Sequence, residues 1–252
     1  MKKLFIAGNW KMYGSYAMTK ELISGLAAAE SLPVTIAVFP PFVYLSCAAE
    51  QLRGSNIALG AQNLSTHQEE GACTGEIVGS MLKEVGCAYV LVGHSERRQY
   101  HHETDDACAE KVVAAQAAGL LPILCLGETL KERQQKQTLT VIEKQLAAVI
   151  KHESVDTGAL IIAYEPVWAI GTGQHATPGI AQEVHGFIRQ LLTSWVEENI
   201  AKSTLLLYGG SVKADNAGEL LMMPDIDGVL VGGASLKAAS FVAICQAAAE
   251  LV

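Results

Sequence analysis

Eight short apolar runs with helical patterns between them constrain the fold of this chain more than any other feature of its sequence. The runs begin at Leu4, Val34, Ile57, Ala88, Leu121, Ala159, Thr204 and Asp227. Each run is almost continuously apolar rather than alternating, as is typical of parallel strands that helices cover. Eight strand–helix units in 252 residues favour a closed (β/α)8 barrel of parallel strands with an outer ring of helices, and an open doubly wound sheet is the competing interpretation.

The sequence also predicts where some helices begin and end. The segments between the runs are rich in alanine and leucine, with charges three or four residues apart, as in amphipathic helices. Gly119 predicts the end of one helix, and Thr177 followed by Pro178 predicts the start of another. No linker rich in serine or proline and no block of charge divides the chain. We therefore expect residues 1–252 to form a single barrel domain.

Composition excludes several classes of protein. Half of the residues are hydrophobic and 17% are charged, which predicts a large core and little disorder. A net charge of -8 argues against a general surface for nucleic acid or anionic membranes, although a few local cations could still bind a small anion. The apolar run at the N-terminus is too short for a signal peptide, and no run approaches the ~18 residues of a membrane span. We expect a cytoplasmic protein whose six cysteines, none in a C-x-x-C pair, are reduced core residues.

Chemically useful side chains follow several of the predicted strands. In a barrel of this kind, the loops after the strands form the functional face. The first run delivers Asn9 and Lys11, the fourth delivers His94, and the sixth ends at Glu165. Each feature alone has an ordinary explanation, such as a solvated lysine or a capping histidine. Their coincidence on one rim indicates a site, to which the seventh and eighth runs add paired glycines, namely Gly209 with Gly210 and Gly232 with Gly233.

This set of groups predicts a type of reaction. The glycine pairs would let backbone amides approach a phosphate, and Lys11 would add positive charge for the phosphate or for a developing oxyanion. Glu165, bordered by apolar residues, is expected to have a raised pKa and to act as a base. His94, which directly precedes a helix, is expected to stay neutral and to polarise a carbonyl. The set predicts proton transfer next to a carbonyl in a small phosphorylated substrate, with no metal and no cofactor.

Five sequence motifs, taken in their order along the chain, indicate a resemblance to a known family. They are GNWKM, GHSERR, AYEPVWAIGTG, YGGSV and VGGASL, and they extend from Gly8 to Leu236. In this order they resemble the triosephosphate isomerase family, whose fold is the TIM barrel. The resemblance implies an isomerase of glycolysis and gluconeogenesis that interconverts dihydroxyacetone phosphate and D-glyceraldehyde 3-phosphate through an enediol(ate). It implies that Glu165 is the base and neutral His94 the electrophile, with Lys11 and Asn9 orienting the substrate and stabilising its charge.

The resemblance assigns further residues around this centre. It implies phosphate-binding amides at Gly171, Ser211, Gly232 and Gly233. Ser95 is implied as a hydrogen-bonding partner of the resting base, and Glu96 as a carboxylate near Lys11. A moving lid is implied at Pro166, Val167, Trp168, Ala169, Ile170, Gly171, Thr172 and Gly173. Proline at its start would stiffen the exit from the strand and glycines at its far end would let it bend, whereas a static loop packed by its own side chains is the alternative.

The third connecting loop, NLSTHQEEGACTGE, is long for a strand–helix connection, and long loops in compact domains are often functional or contact surfaces. The resemblance implies a homodimer in which this loop inserts into the neighbouring subunit and Thr74 reaches its active site. The tip of the loop, STHQEE, and Tyr13 depart from commoner versions in the family. These departures concern the interface rather than the chemistry.

Two other patterns have weaker functional interpretations. Residues 171–176, GTGQHA, formally match a dinucleotide fingerprint, but Pro166 has already broken the strand and the helix starts only after Thr177. His101, His102 and Glu103 could suggest a metal site. However, adjacent side chains on a helix point in different directions, so we expect structural roles, with Glu103 pairing with Arg97 or Arg98.

Two alternative functions compete with the isomerase. The first is another phosphate-binding barrel enzyme, such as a synthase or an aldolase. An aldolase needs a lysine deep on a central strand that forms a Schiff base. In this sequence only Lys11 and Lys213 approach the ends of strands. A barrel that has lost catalysis and serves as a scaffold is the second. It predicts the loss of Glu165, His94 or Lys11, and all three are present.

Overall fold

The architecture is a closed barrel of parallel strands. A computed structural model describes residues 2–170 and 176–252. Within these residues eight strands lie in chain order around the barrel, and β8 pairs with β1 to close it. The strands are β1 Phe5–Asn9, β2 Thr35–Phe39, β3 Ala58–Ala61, β4 Tyr89–Val92, β5 Leu121–Leu126, β6 Ile161–Tyr164, β7 Leu206–Tyr208 and β8 Gly228–Val231. Each strand lies within one of the predicted apolar runs, so the closed barrel is confirmed and the open sheet is wrong.

Helices cover the outside of the barrel. In the described ranges they are α1 Tyr16–Gly25, α2 Leu45–Gln51, α3 Gly79–Glu84, α4 Ser95–Tyr100, α5 Asp105–Ala117, α6 Leu130–Gln134, α7 Thr138–Ile150, α8 Pro178–Trp195, α9 Glu198–Ser203, α10 Ala214–Leu221 and α11 Ala238–Ala249. Short 3₁₀ turns occur at Ala27–Ala29, Phe42–Tyr44, Val167–Ala169 and Gly233–Leu236. The helices and the strands bury apolar side chains against one another, which explains why the strands are apolar on both faces.

Side chains alternate between the inside and the outside of the barrel. Along β1, Phe5 and Ala7 belong to a small buried cluster, whereas the intervening Ile6 belongs to the large cluster that the helices share. The same alternation places Ile123 and Cys125 of β5 in the small cluster. This cluster fills the barrel interior, so the barrel is a packed core and a ligand has to bind at its end.

The predicted helix boundaries are confirmed. Thr177 is the N-cap of α8, where its side chain accepts the N–H of Ile180, and Pro178 is the first helical residue. Gly119 follows α5 with a φ of 71°, a left-handed conformation that glycine adopts without steric cost. These boundaries set where each chain segment returns to the barrel.

A buried ion cluster anchors α4, the helix that follows His94. Glu103 accepts hydrogen bonds from Arg97 and from Lys111, whose ammonium also donates to Asn63 Oδ1 at 2.7 Å. These contacts lower the pKa of Glu103, although burial alone would raise it. The predicted pairing of Glu103 is confirmed for Arg97. Arg98 instead donates to Asp105 at 2.6 Å.

The cysteines are not all core residues. Cys87, Cys108, Cys125 and Cys245 are buried, as expected, but Cys47 and Cys73 are partly exposed. Cys47 lies on the short helix α2 and Cys73 lies in the long loop after β3, so neither belongs to an apolar strand. The prediction that every cysteine lies in the core is therefore wrong for these two. All six are free thiols.

Gly228 allows β8 to approach β1 closely where the barrel closes. A Cβ atom at this position would lie 2.0 Å from the carbonyl oxygen of Phe5 and 2.7 Å from a side-chain carbon of Leu207. Backbone cannot yield to such an overlap as a flexible side chain can. By contrast, a Cβ atom at Gly218, on α10, would meet no atom within 4 Å.

We expect Gly228→Ala to lower the free energy of unfolding by about 2–3 kcal/mol, because the added methyl group overpacks the junction between β8 and β1. Gly218→Ala is the matched control and should raise it by about 0.5–1 kcal/mol, since alanine favours the helix. Urea unfolding followed by circular dichroism measures both changes. Equal effects of the two substitutions would contradict this account of closure.

His185, on α8, is a buried histidine behind β6 and β7. Its Nδ1–H donates to the Ala181 carbonyl at 2.7 Å, and its ring lies 5.7 Å from the ring of Tyr164 and 6.3 Å from that of Tyr208. Burial lowers the pKa of His185 to about 4. The folded protein therefore keeps this imidazole neutral at pH values where an unfolded chain protonates it.

This histidine should make folding sensitive to mild acid. As the pH falls below ~6.5, the unfolded chain binds a proton that the folded chain refuses, so stability should fall by about 1.4 kcal/mol per pH unit from this group until the pH nears the folded pKa. His185→Asn keeps a donor near Ala181 and should flatten the dependence of unfolding free energy on pH in this window. His101→Asn, at an exposed position, is the control and should leave the slope unchanged. An unaltered slope in His185→Asn would refute the assignment.

Candidate active site

A cavity of about 890 Å³ opens at the carboxyl ends of the strands. It brings together residues from five separate parts of the chain that the sequence analysis identified as candidates. The lining includes Asn9, Lys11, His94, Glu165, Ser211, Gly232 and Gly233. Convergence of strand ends in a parallel barrel accounts for this meeting. Gly171, Thr172 and Gly173 of the expected lid lie outside the described residues.

Glu165 is a buried carboxylate at the base of the cavity. It directly follows β6, and its backbone N–H continues the pairing by donating to Leu126 O at 2.7 Å. The side chain is 2% exposed. Its Oε2 accepts the backbone N–H of Ser95 at 2.8 Å, and its Oε1 lies 2.9 Å from His94 Nε2. The expected contact between Ser95 and the carboxylate is present, and it is made by the backbone amide.

His94 is the N-cap residue of α4. Its Nδ1 accepts the backbone N–H of Glu96 at 3.2 Å. A ring nitrogen that accepts an N–H keeps its lone pair, so the ring proton lies on Nε2, which faces Glu165. This arrangement fits an uncharged imidazole that donates one hydrogen bond to a carboxylate.

Burial and pairing act in opposite directions on these two groups. Burial raises the pKa of Glu165, but the His94 contact and the Ser95 amide outweigh it, so the net pKa lies below its ordinary value. Burial lowers the pKa of His94, but the Glu165 carboxylate raises it overall. The expected raised pKa of Glu165 is therefore wrong for this resting pair. For His94 the hydrogen bond from the Glu96 amide favours the neutral ring. An imidazolium would carry a proton on Nδ1, and that N–H would point at the N–H of Glu96.

Lys11 reaches the cavity from a strained backbone position. Its φ is 52°, which is uncommon for a residue other than glycine. Three contacts hold it there: its N–H donates to Asn9 Oδ1 at 2.9 Å, its carbonyl accepts from Gln62 Nε2 at 2.8 Å, and its ammonium donates to Glu96 Oε1 at 2.6 Å. Glu96 thus lies beside Lys11, as expected. Gln62 was missed by the sequence analysis, although it ends the third apolar run.

The two glycine-rich strand ends approach the charged groups closely. A Cβ atom at Gly232 would lie 3.3 Å from Lys11 Cε, and one at Gly209 would lie 2.8 Å from Glu165 Cγ. Ser235 Oγ donates to Gly232 O at 2.7 Å and to Asn9 O at 3.3 Å, which ties the loop after β8 to the end of β1. Side chains at these glycines would therefore crowd the groups that line the cavity.

The first half of the expected lid rests on a buried carboxylate that the sequence analysis did not identify. Glu128 is fully buried after β5 and accepts hydrogen bonds from Trp168 Nε1 at 2.9 Å and from Tyr164 Oη at 3.1 Å. Its backbone carbonyl also accepts the N–H of Val167 at 3.2 Å. Arg133 lies 4.3 Å above the Trp168 ring and 3.2 Å from the Glu128 carboxylate. Glu128 follows an apolar run in the sequence LPILCLGE, and a carboxylate just after a predicted strand is a signal that could have identified it as a candidate.

Thr74 does not join this cavity. It is exposed in the loop between β3 and α3 and is not among the residues that line the cavity of its own chain. In the described part of the chain, no group of three or more His, Cys, Asp or Glu side chains is placed to hold a metal ion. A search of the same residues for a helix long and apolar enough to span a membrane finds none.

Comparison with known proteins identifies the family. The family model described as triosephosphate isomerase matches residues 4–248. Proteins named triosephosphate isomerase from Hydrogenovibrio crunogenus and Pseudomonas entomophila are 53% and 52% identical to the chain, over 99% and 98% of its length and 100% and 99% of their own. A third, from Nitrosococcus oceani, is 52% identical over 98% of the chain and 100% of its own length. With this coverage and the geometry of the cavity in agreement, the chain belongs to the triosephosphate isomerase family.

Proposed function

We propose that this enzyme interconverts dihydroxyacetone phosphate and D-glyceraldehyde 3-phosphate through an enediolate, with Glu165 as the base and His94 as the electrophile. Membership of the family makes the chain an isomerase of triose phosphates, and the isomerisation of triose phosphates is a step of glycolysis. The observation that supports the proposed mechanism is the buried pair of Glu165 and His94, 2.9 Å apart, in a cavity that Lys11 and Gly232 also line.

Glu165 would remove a proton from the carbon next to the substrate carbonyl. The electron pair of that C–H bond would form a C=C bond as the π electrons of the carbonyl move onto its oxygen, and the same carboxyl group would then return the proton to the neighbouring carbon. A substrate between Glu165 and His94 would break their contact. The stabilisation that His94 gives to the resting carboxylate would then be lost, and burial would raise the pKa of Glu165 toward the value a general base needs.

His94 would act on the two oxygens of the substrate. With Nδ1 occupied by the Glu96 amide, Nε2–H is the group free to donate to the carbonyl oxygen once the carboxylate has moved aside. A neutral imidazole stabilises the developing oxyanion by a hydrogen bond and can pass a proton between adjacent oxygens. Its position before α4 suits this state, because the positive end of the helix disfavours an imidazolium.

Lys11 and Asn9 would orient the substrate and stabilise its negative charge, while the amides near Ser211, Gly232 and Gly233 would hold its phosphate. The ammonium of Lys11 is bound to Glu96 at rest, so the substrate would compete with that carboxylate for it. Gly171 would complete the phosphate site. This division explains how a chain of net charge -8 can bind an anion, because oriented amides and the Lys11 ammonium act at short range.

Residues 166–173 would close over the substrate as a lid. Val167–Ala169 form a short 3₁₀ turn in which Ala169 is fully buried, so the described part of the lid is compact at rest. Closure would exclude water and strengthen the electrostatic contacts in the cavity. The hydrogen bond between Trp168 and Glu128 would be among the contacts that hold the resting position.

An aldolase mechanism has less support. Lys213 is exposed, and the ammonium of Lys11 is bound to Glu96. Neither lysine lies deep on a central strand, where a Schiff base would be shielded from water.

We also propose that residues 1–252 form one domain and that two copies form a homodimer. Large apolar side chains are exposed near the loops after β1 and β2, namely Met12, Tyr13, Tyr16 and Val43. The two loops touch, since Tyr16 and Tyr44 rings lie 5.5 Å apart and Tyr44 Oη donates to Gly14 O. A second copy that covers this patch, with Thr74 at the contact, would remove the exposed apolar surface from water.

Glu165→Asp and His94→Gln should each lower kcat by about 10²–10⁴-fold, because the first withdraws the base from the substrate carbon and the second removes the imidazole. KM should change far less, since the phosphate site is intact. A coupled assay on D-glyceraldehyde 3-phosphate measures both constants. Glu110→Asp, at an exposed position on α5, is the matched control. An inactive wild-type protein would disprove the isomerase, and full activity in both variants would disprove the residue assignment.

Val43→Asp should convert the dimer into monomers, because a carboxylate would have to be buried without a partner at the contact. Sedimentation equilibrium measures the mass of the assembly. Val43 is 69% exposed and Met222, on another face after α10, is 61% exposed, so Met222→Asp is the control and should leave the mass unchanged. A wild-type monomer, or a dimer in Val43→Asp, would argue against the proposed surface.

A further inference from the structure

Ser235 carries a buried hydroxyl next to the proposed phosphate site. It lies in the 3₁₀ turn Gly233–Leu236 that follows β8, and it is 2% exposed. Gly233, at the start of the same turn, is exposed and lines the active-site cavity, whereas Ser235 is not among the residues that line it. Any role of this hydroxyl in substrate binding therefore has to act through its neighbours.

The hydroxyl lies between two backbone carbonyls from opposite ends of the chain. Ser235 Oγ donates to Gly232 O at 2.7 Å, and the carbonyl oxygen of Asn9, at the end of β1, lies 3.3 Å from the same Oγ. A hydroxyl has one proton, so the shorter distance makes Gly232 O the main acceptor. The backbone N–H of Ser235 also donates to Gly232 O, at 2.8 Å. Two donors thus hold one carbonyl.

A glycine in β1 lets the turn come this close to the strand. A Cβ atom at Gly8 would lie 3.1 Å from Ser235 Cβ and 3.0 Å from Phe241 Cζ. The turn is therefore packed directly against β1. This contact holds the Ser235 side chain in the place from which it reaches both carbonyls.

The bound carbonyl of Gly232 fixes the direction of the next amide. The described residues contain no cis peptide bond, and in a planar trans peptide the C=O and the following N–H point in opposite directions. Because Gly232 O is turned toward Ser235, the Gly233 N–H is turned away from it, to the side of the cavity that Gly233 lines. No acceptor among the described residues takes this N–H. It is a donor left available for a ligand.

We propose that Ser235 is a positioning residue for the phosphate, whose hydroxyl holds the Gly232–Gly233 peptide so that the Gly233 N–H points at the phosphate group of the substrate. The inference rests on the proposed function, in which the Gly233 amide binds that phosphate. An amide already in place needs no reorganisation when the substrate arrives, whereas a peptide free to rotate loses binding free energy on being ordered. The contact with Asn9 O joins the same turn to the strand that leads to Lys11, so amide and ammonium keep a fixed separation.

Ser235→Ala and Ser235→Cys test the hydroxyl. Alanine removes the donor, and cysteine fills the same position with a weak donor. Each should raise KM for D-glyceraldehyde 3-phosphate about fivefold, the effect of losing one hydrogen bond, and should raise the inhibition constant of inorganic phosphate by the same factor. The hydrogen bonds of Ser235 reach neither Glu165 nor His94, so kcat should change by less than about twofold.

Thr204→Val is the matched control. Thr204 is 6% exposed, its Oγ1 donates to Ile200 O at 2.8 Å, and it is not among the residues that line the cavity. This variant also loses a buried hydrogen bond from a hydroxyl to a backbone carbonyl, but it should leave KM and the inhibition constant of phosphate unchanged. Thermal unfolding measures the loss of stability in all three variants.

An unchanged KM in Ser235→Ala, a wild-type KM in Ser235→Cys, or an equal rise of KM in Thr204→Val would overturn the proposal. Phosphate binding is also measured without turnover, from the broadening of the phosphorus NMR signal of inorganic phosphate. A wild-type protein that is inactive but binds phosphate more tightly than Ser235→Ala would contradict the isomerase and support the role of Ser235. Equal phosphate binding by an active wild-type protein and Ser235→Ala would contradict the role of Ser235 alone.

Discussion

Closure of the parallel barrel is the constraint on which the rest of the structure depends. Because all strands point the same way around a ring, residues that are far apart in the chain emerge on one rim. The junction between β8 and β1 completes the ring, and it is tight enough that Gly228 leaves no space for a side chain next to Phe5 O. A chain with the same residues on an open sheet would not bring the ends of β1 and β8 together. The cavity is thus a product of closure.

Within the cavity, the resting site satisfies its own charges. Glu165 takes hydrogen bonds from His94 and from the Ser95 amide, and Lys11 is bound to Glu96. Each contact stabilises a charge that would otherwise be left in a partly buried place. A substrate that binds here exchanges these contacts for its own. Burial and pairing shift the pKa values of Glu165 and His94 in opposite directions. The same groups can therefore be stable without substrate and reactive once substrate has replaced their contacts.

The sequence predicted the barrel, all eight strands and the converging polar residues, because continuous apolar runs and strand-end motifs are local signals. It failed where the outcome depends on contacts between distant segments. The pKa of Glu165 was predicted from its apolar neighbours, yet His94, which arrives from β4, reverses the shift. Glu128 and Gln62 were missed because their partners, Trp168 and Lys11, are distant in the chain. Cys73 was assigned to the core from composition, whereas its loop holds it at the surface.

Gln62 supports the backbone around the cavity from a position outside it. Its Nε2 donates to the carbonyl of Lys11 and to that of Phe39, both at 2.8 Å, so one amide group braces the ends of two neighbouring strands. Asparagine is one methylene shorter and could not span both carbonyls from the same backbone position. Redesign of this enzyme for other sugars could therefore vary many residues around the pocket mouth, but this glutamine has to stay, although it does not line the cavity.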